Sequence, residues 1–498
     1  MRLLKVSSVD DAGDKLELVS FMGEDLPPYA ILSHTWVDGH EVLFEDVKAG
    51  TSGQSTGYEK VKQVARLAAA DSYDYVWIDT CCINKSSSAE LSEAINSMYK
   101  WYQRAAICYA FLLDVVLPRS FHFEDNTPVF KARPRDYWCT LCDSWTFYES
   151  RNSMRSNDDA RNVVQNCEIC EAAVQVEQAL STCRWITRGW TLQELIAPPE
   201  VIFYGRGYSR SGTKTSLSPI LHVVTRIDGQ LLLGRKPLRH VAIAQRLSWA
   251  SRRATTRPED MSYSLLGLLG VNMPLLYGEG EDAFIRLQQK IVTDTNDESI
   301  FAWISNGPER GGMLANSPSD FYECNRVQLT SESLYTDRPP YALTNQGIEF
   351  FTPSLRPWDS CQNWTARISL RALCFLGPTP VSPSLPANLY LACKDVDPTD
   401  GSHRQVIIRL AAERLRWLWG NESRTTWSRV PDNPRGLARG SSILPATRGQ
   451  LRLIVSKSRY SYVHQDSRSH SALSAIGAFG FPLAAALIPT ILHRIAQS

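Results

Sequence analysis

Alternating apolar and amphipathic stretches make up the first 115 residues of the chain. Residues 29–33, 75–79 and 107–113 are short apolar runs with the length and composition of buried strands. Between them, residues 59–70 and 87–102 carry apolar side chains at helical spacing. A strand–helix order of this kind predicts an α/β fold, in which a parallel sheet has helices on both faces.

Local signals set the ends of several predicted elements. Ser87 and Glu90 have the spacing of a capping box at the start of the second helix. Residues 187–197 predict a short helix that ends at Pro198-Pro199, and Val201–Tyr204 predicts a fourth strand.

The change in pattern along the chain predicts its domain organisation. Residues 1–205 form the α/β domain, interrupted by a polar insertion at about 118–181 that shows little periodicity. A helical extension follows at 206–298, and short β-like runs split by Pro, Gly, Ser and Asn predict a β-rich C-terminal domain at 299–465. Residues 466–498 form a tail.

Composition and charge exclude several classes of protein. The length of 498 residues predicts two to four domains, and 28 Gly, 27 Pro and 14 Trp exclude a mostly disordered chain. The chain has 53 basic and 52 acidic side chains, so its net charge is close to zero and we do not expect a strongly basic nucleic-acid-binding protein. No Walker A, G-x-G-x-x-G or HExxH motif is present.

Polar side chains follow the strands where a parallel sheet binds its ligands, beyond the carboxyl ends of the strands. They are Ser33, His34 and Trp36 after the first strand, Asp79 after the second, and Trp190 and Glu194 on the helix that follows the insertion. Trp190 and Glu194 are four residues apart and therefore share a helix face. A carboxylate next to an indole is suited to contact a ribose or to stabilise a developing cation. A solvated glutamate, and an aspartate that caps a loop, are the structural alternatives.

The insertion contains two C-x2-C pairs, and four thiolates can bind one structural zinc ion. The alternative is a loop that carries free cysteines, because the spacing between the pairs exceeds the usual range. The four residues are Cys139, Cys142, Cys167 and Cys170.

The tail contains an uncharged apolar segment that is a candidate for membrane contact. Residues 472–492 contain no charge and are long enough for a tail anchor, although two glycines and two prolines equally favour a buried or interfacial segment. The N-terminus has no apolar run of signal-peptide length, so we expect a cytoplasmic protein.

Several long segments resemble the fungal heterokaryon-incompatibility (HET) domain. They include PPYAILSHTW at 27–36, YVWIDTCCINKSSSAELSEAINSMYKWYQRAAICYAFLLDV at 75–115 and RWITRGWTLQELIAP at 184–198, and the resemblance continues through 246–288 and 297–303. It covers about the first 300 residues, apart from the insertion.

The resemblance implies a signalling module in fungal non-self recognition that promotes regulated cell death through self-association and binding to other incompatibility or signalling proteins. HET domains are distantly similar to TIR domains, which have a flavodoxin-like parallel sheet, and WTLQEL at 190–195 resembles a TIR motif. In enzymatic TIR domains the glutamate of that motif cleaves NAD, so the resemblance gives Glu194 a catalytic role. It places Ser33, His34, Trp36, Asp79 and Trp190 in the substrate pocket, with NAD as substrate and no cofactor required.

Overall fold

A mixed seven-stranded sheet dominates the N-terminal part of the chain, as seen in a computed structural model. The structure describes residues 1–11, 15–23, 25–116, 130–133, 136–139, 144–147, 168–304, 313–329, 342–343, 348–352, 387–396, 403–416, 424–429, 436–439 and 451–455.

The strands in chain order are β1 (Arg2–Lys5), β2 (Leu18–Ser20), β3 (Ala30–His34), β4 (Tyr75–Trp77), β5 (Ile107–Phe111), β6 (Phe130–Arg133), β7 (Asp136–Cys139), β8 (Ser144–Phe147), β9 (Val201–Tyr204), β10 (Arg210–Thr213), β11 (Val327–Leu329), β12 (Ala342–Leu343), β13 (Ile348–Thr352), β14 (Ala387–Val396), β15 (His403–Arg416), β16 (Arg424–Arg429), β17 (Gly436–Arg439) and β18 (Leu451–Val455). The α-helices are α1 (Phe44–Ala49), α2 (Tyr58–Ala70), α3 (Asp79–Cys82), α4 (Ser88–Arg104), α5 (Glu168–Thr182), α6 (Arg184–Thr187), α7 (Thr191–Ile196), α8 (Ser218–Thr225), α9 (Gly229–Leu232), α10 (Ile243–Ser248), α11 (Pro258–Tyr263), α12 (Leu266–Leu269) and α13 (Asp282–Asp294).

The centre of the first sheet is parallel and its edges are antiparallel. Its strand order is β10-β9-β5-β3-β4-β1-β2, and the four strands β4, β3, β5 and β9 run parallel. Every residue of β3, β5 and β9 is buried, as expected for strands covered on both faces. The predicted α/β fold with a parallel-containing sheet is therefore confirmed.

Helix α4 begins as predicted, although only half of the capping box forms. The Ser87 hydroxyl accepts a hydrogen bond from the Glu90 backbone nitrogen at 3.4 Å. The Glu90 carboxylate instead accepts from the Asn84 backbone nitrogen at 2.8 Å and pairs with Arg2. An ion pair with β1 therefore replaces the local bond to the Ser87 backbone.

The helix predicted at 187–197 is shorter in the structure, where α7 covers Thr191–Ile196 and Thr187 ends the separate helix α6. Residues between them pair with a distant strand-like segment, since Gly189 donates to the Ala254 carbonyl at 2.9 Å and Ala254 donates to the Thr187 carbonyl at 2.8 Å. Arg188 is accordingly extended, with φ −81° and ψ 140°. Long-range backbone pairing outweighs the local helical preference there.

The predicted insertion contains regular structure that its polar sequence does not reveal. Strands β6, β7 and β8 form an antiparallel sheet, and α5 occupies the end of the insertion. Val176 and Leu180 lie on one face of α5 and are buried in the core.

Strands of the C-terminal part form a second sheet, in the order β11-β14-β15-β16-β18-β13-β12, with β17 paired to β15. These pairs are antiparallel except that of β16 and β18. Residues 1–457 group as one compact unit, and the domain boundaries within it stay predictions.

The apolar segment 472–492 lies outside the described residues. Across the part of the chain that is described, no helix combines the length and apolar character needed to cross a bilayer.

Candidate functional site

Glu194 lies buried at the carboxyl end of the parallel strands. It sits on α7, where it is 7% exposed, and its carboxylate accepts a hydrogen bond from the Ser33 hydroxyl at the end of β3. The two residues are 161 positions apart in the sequence. The fold thus joins two of the predicted site residues directly.

Two aromatic side chains complete the surroundings of this pair. The Trp185 indole nitrogen donates to the Ser33 hydroxyl at 2.7 Å. The Tyr102 hydroxyl donates to the Leu32 carbonyl oxygen at 3.0 Å and is also hydrogen-bonded to Glu194. Both side chains are buried, so the Ser33–Glu194 pair has a low-polarity environment.

That environment favours the neutral carboxyl group. Burial, reinforced by the charge of Asp79, raises the pKa of Glu194 to about 8, although bonds from Ser33 and Tyr102 and the charge of Arg188 act in the opposite direction. At neutral pH Glu194 is therefore mostly protonated, and an ionised form becomes abundant only in alkaline solution or beside a bound cation.

His34 faces the opposite side of β3 from Ser33, as neighbours on a strand must. Its Nε2 lies 3.3 Å from Glu41 Oε2, and its Nδ1 lies 3.9 Å from Asp79 Oδ1. Burial alone raises the pKa of Glu41, but its bonds to His34 and to Lys60 outweigh burial and lower that pKa to about 2. Glu41 is therefore a fixed negative charge beside the imidazole.

Trp36 and Asp79 contact each other at the rim of the site. The Trp36 indole nitrogen donates to Asp79 Oδ2 at 2.9 Å, and Asp79 begins α3 directly after β4. The Lys85 ammonium lies 3.5 Å from the centre of the Trp36 ring. The structure thus brings four predicted residues, Ser33, His34, Trp36 and Asp79, to the same edge of the sheet as Glu194.

Trp190 is placed differently from its neighbours. It is half-buried at the start of α7, and its indole is hydrogen-bonded to the Asp260 carboxylate on α11. The described hydrogen bonds therefore connect Trp190 to the helical extension, whereas Glu194 is bonded to Ser33 of β3 and Tyr102 of α4.

Three further residues shape the site and were not predicted from the sequence: Tyr102, Trp185 and Arg253. Tyr102 lies on the apolar face of α4, where a buried hydroxyl needs a partner. Arg253 is buried and donates to the Arg188 carbonyl oxygen at 2.9 Å and to the Thr191 hydroxyl at 3.0 Å. Arg253 thereby binds both ends of the non-helical segment between α6 and α7.

The side chains of the predicted zinc site lie outside the described part of the structure. Cys142 and Cys167 lie outside the described residues, and the side chains of Cys139 and Cys170 are also not described. In the described ranges, no group of three or more His, Cys, Asp or Glu residues is placed to hold a metal ion. Zinc binding by the insertion stays a prediction.

Comparisons with known proteins identify the family of the N-terminal part. Residues 29–194 match the family model described as heterokaryon incompatibility protein (HET). Vegetative incompatibility protein HET-E-1 of Podospora anserina is 40% identical over 296 residues, which are 59% of this chain. The chain spans 18% of the length of that relative. No solved structure matches the chain.

The match confirms the resemblance to the HET domain; it begins just before β3, which contains Ser33, and ends within α7 at Glu194. Residues 29–194 of this chain therefore carry the heterokaryon incompatibility (HET) domain.

Proposed function

We propose that the chain acts as a signalling module in fungal incompatibility and promotes regulated cell death through self-association and binding to other incompatibility proteins. The observation that carries this proposal is the HET domain at 29–194, supported by similarity to a protein named for vegetative incompatibility. The apolar tail at 472–492 is a candidate for membrane contact in the same process.

Inducible expression in a filamentous fungus tests the proposed function. We expect growth arrest and loss of viability on induction of the full chain, with the protein sedimenting as an oligomer at the concentration reached. Normal growth in cells that accumulate the folded chain would contradict the proposal. A persistent monomer would contradict self-association alone.

A second candidate function is hydrolysis of NAD with Glu194 as the catalytic carboxylate. Two observations favour it. The parallel strands β3, β4, β5 and β9 lie in the order 2-1-3-4 of a flavodoxin-like sheet, for which ligands bind beyond the carboxyl ends of the strands at the switch point. Glu194 lies at that edge and contacts the end of β3. Together they support the TIR-like interpretation.

The chemistry requires one broken and one formed bond. The nicotinamide–ribose bond breaks, both electrons leave with nicotinamide, and positive charge develops on the ribose. A water oxygen then bonds to the same ribose carbon and releases its proton, giving ADP-ribose. The ionised Glu194 carboxylate stabilises the developing cation, which is strongest in a site that excludes water.

The protonation state of Glu194 predicts how the rate of NAD hydrolysis depends on pH. Because its pKa is raised to about 8, only a minority of sites carry the carboxylate at pH 7. We expect NAD hydrolysis to increase between pH 7 and pH 9 and then level off. A rate that is flat across this interval would contradict a role for ionised Glu194.

The decisive variants are Glu194→Gln and Glu200→Gln, assayed for nicotinamide release. Glu194→Gln keeps shape and hydrogen bonding but cannot ionise, so we expect a loss of at least 100-fold, as for other groups that stabilise transition-state charge. Glu200 is exposed six residues later, and its variant should keep full activity. No release by the folded, assembled wild type would remove the enzymatic candidate and leave the signalling proposal.

A further inference from the structure

Two cationic side chains lie against the Trp36 indole at the rim of the site. The Lys85 ammonium is 3.5 Å from the ring centre, and the Arg188 guanidinium carbon is 5.9 Å from it. Both distances are within the range of cation–π attraction. Arg188 also lies close enough to Glu194 for its charge to favour the carboxylate form.

The Lys85 ammonium has unused hydrogen-bonding capacity. Its nitrogen is buried and has no hydrogen-bond partner among the described residues. Lys60 provides a contrast, because its ammonium lies 2.7 Å from both oxygens of Glu41. A buried ammonium without hydrogen bonds is costly, so a site that keeps one is suited to an incoming acceptor.

The Asp79 carboxylate lies next to these cations and to the Trp36 ring. Asp79 Oδ1 is buried, has no hydrogen-bond partner in the described part of the chain, and lies 3.9 Å from His34 Nδ1. Asp79 also holds the Trp36 ring by accepting its indole N–H. The rim thus presents positive charge at Lys85 and Arg188 and negative charge at Asp79.

This arrangement complements a molecule with separated charges. A dinucleotide such as NAD carries a negative diphosphate and a positive nicotinamide ring. Ammonium and guanidinium groups are the side chains that bind phosphate oxygens best, with the guanidinium able to make two parallel bonds.

We propose that Lys85 and Arg188, held against Trp36, form the subsite for the phosphate groups of a nucleotide ligand. The proposal rests on the second candidate function and names the part of the site that would bind the diphosphate. In that arrangement the phosphates lie at the rim of the site, and the ribose next to Glu194.

Equilibrium binding of ADP-ribose to the full chain tests this subsite without requiring turnover. Isothermal titration calorimetry should show that Lys85→Gln and Arg188→Gln each weaken ADP-ribose binding about tenfold or more, the usual loss for a charge-assisted contact. Lys85→Arg keeps the charge and should stay within a few fold of the wild type. Lys100→Gln, at an exposed lysine of α4, is the matched control and should bind normally.

Adenosine, which lacks phosphates, separates this subsite from a general effect on folding. Its binding should be the same in the wild type and in Lys85→Gln. Equal weakening of adenosine and ADP-ribose would overturn the proposal, as would normal ADP-ribose binding by both Gln variants or no binding of ADP-ribose by the wild type at millimolar concentration.

The outcome is independent of the hydrolysis assay. Lys85-dependent binding of ADP-ribose without nicotinamide release would support the subsite and reject the enzyme. Nicotinamide release with ADP-ribose binding unaffected by Lys85→Gln and Arg188→Gln would support the enzyme and reject the subsite.

Discussion

Glu194 is a carboxyl group whose chemistry is set by its neighbours. Ser33 and Tyr102 supply hydrogen bonds, while burial makes its charge unfavourable. Residue types at strand ends were enough to predict that Ser33, Asp79 and Glu194 belong to one edge of the sheet. Burial of Glu194, and its bonds to aromatic partners, depend on how α4 and α7 pack, which no local pattern contains.

The raised pKa of Glu194 predicts how stability depends on pH. The unfolded chain releases this proton near 4.5, whereas the folded chain holds it to about 8. The contribution of Glu194 to stability is therefore complete below pH 4.5 and is lost as pH rises through 8, by at most about 5 kcal/mol. In Glu194→Gln this loss should disappear, so urea denaturation should find the variant more stable than wild type at pH 9. If wild type and Glu194→Gln have equal free energies of unfolding at pH 9, and these change in parallel from pH 5 upward, the pKa of Glu194 is not raised.

Ser33→Ala should act on both partners of the hydroxyl. It leaves the Trp185 indole nitrogen without its bond and Glu194 without a donor, both in a buried environment. We expect a loss of about 1–3 kcal/mol in the free energy of unfolding at pH 7. Because the Ser33 bond lowers the pKa of Glu194, the variant should raise that pKa further, measurable by carbon NMR titration.

Ser181→Ala, at an exposed serine of α5, is the control for Ser33→Ala and should change stability by less than about 0.5 kcal/mol. If Ser33→Ala changes neither the free energy of unfolding nor the pKa of Glu194, the Ser33 hydroxyl is not part of a buried hydrogen-bond network.

Helices α4 and α12 approach each other closely, and Gly267 makes this contact possible. A Cβ atom at Gly267 would lie 2.0 Å from the Cβ of Tyr99. Periodicity predicts α4 well because its apolar face repeats over four turns. The helix predicted at 187–197 forms only over Thr191–Ile196, because Gly189 pairs with Ala254 across the fold.

Gly267→Ala should therefore destabilise the protein despite the better helix propensity of alanine. Moving α4 and α12 apart costs about 1–3 kcal/mol, and the expected readout is a lower urea midpoint with an unchanged slope. Gly229→Ala is the matched control, because a Cβ there meets nothing within 4 Å. It should leave stability unchanged or raise it by up to about 1 kcal/mol. Equal midpoints for the two variants would contradict the close contact.

The helical extension and the parallel sheet form one structural unit through the segment before α7. Arg253 lies between α10 and α11 and binds the backbone of Arg188, while Trp190 reaches Asp260 on α11. Sequence patterns distinguish the extension from the sheet by composition. They do not show this connection, because Arg253 is part of a basic stretch that resembles a solvated helix face.

Arg253→Met should weaken both parts together. The substitution leaves the Arg188 carbonyl oxygen without its buried donor, for an expected loss of about 1–3 kcal/mol. Circular dichroism and tryptophan fluorescence should still report one coincident unfolding transition. Arg235→Met, at an exposed arginine, should behave as wild type. Two separate transitions in the wild type would show instead that the extension unfolds independently.

The long separation between Ser33 and Glu194 affects the order in which the chain is made on the ribosome. Translation of the 161 positions from one to the other takes roughly 10–30 s at about 5–20 residues per second. The Arg253 anchor emerges later still. A nascent chain therefore displays the end of β3 for many seconds before its acidic partner exists. An activity that needs both groups therefore begins only after Glu194 has been synthesised and has folded against β3.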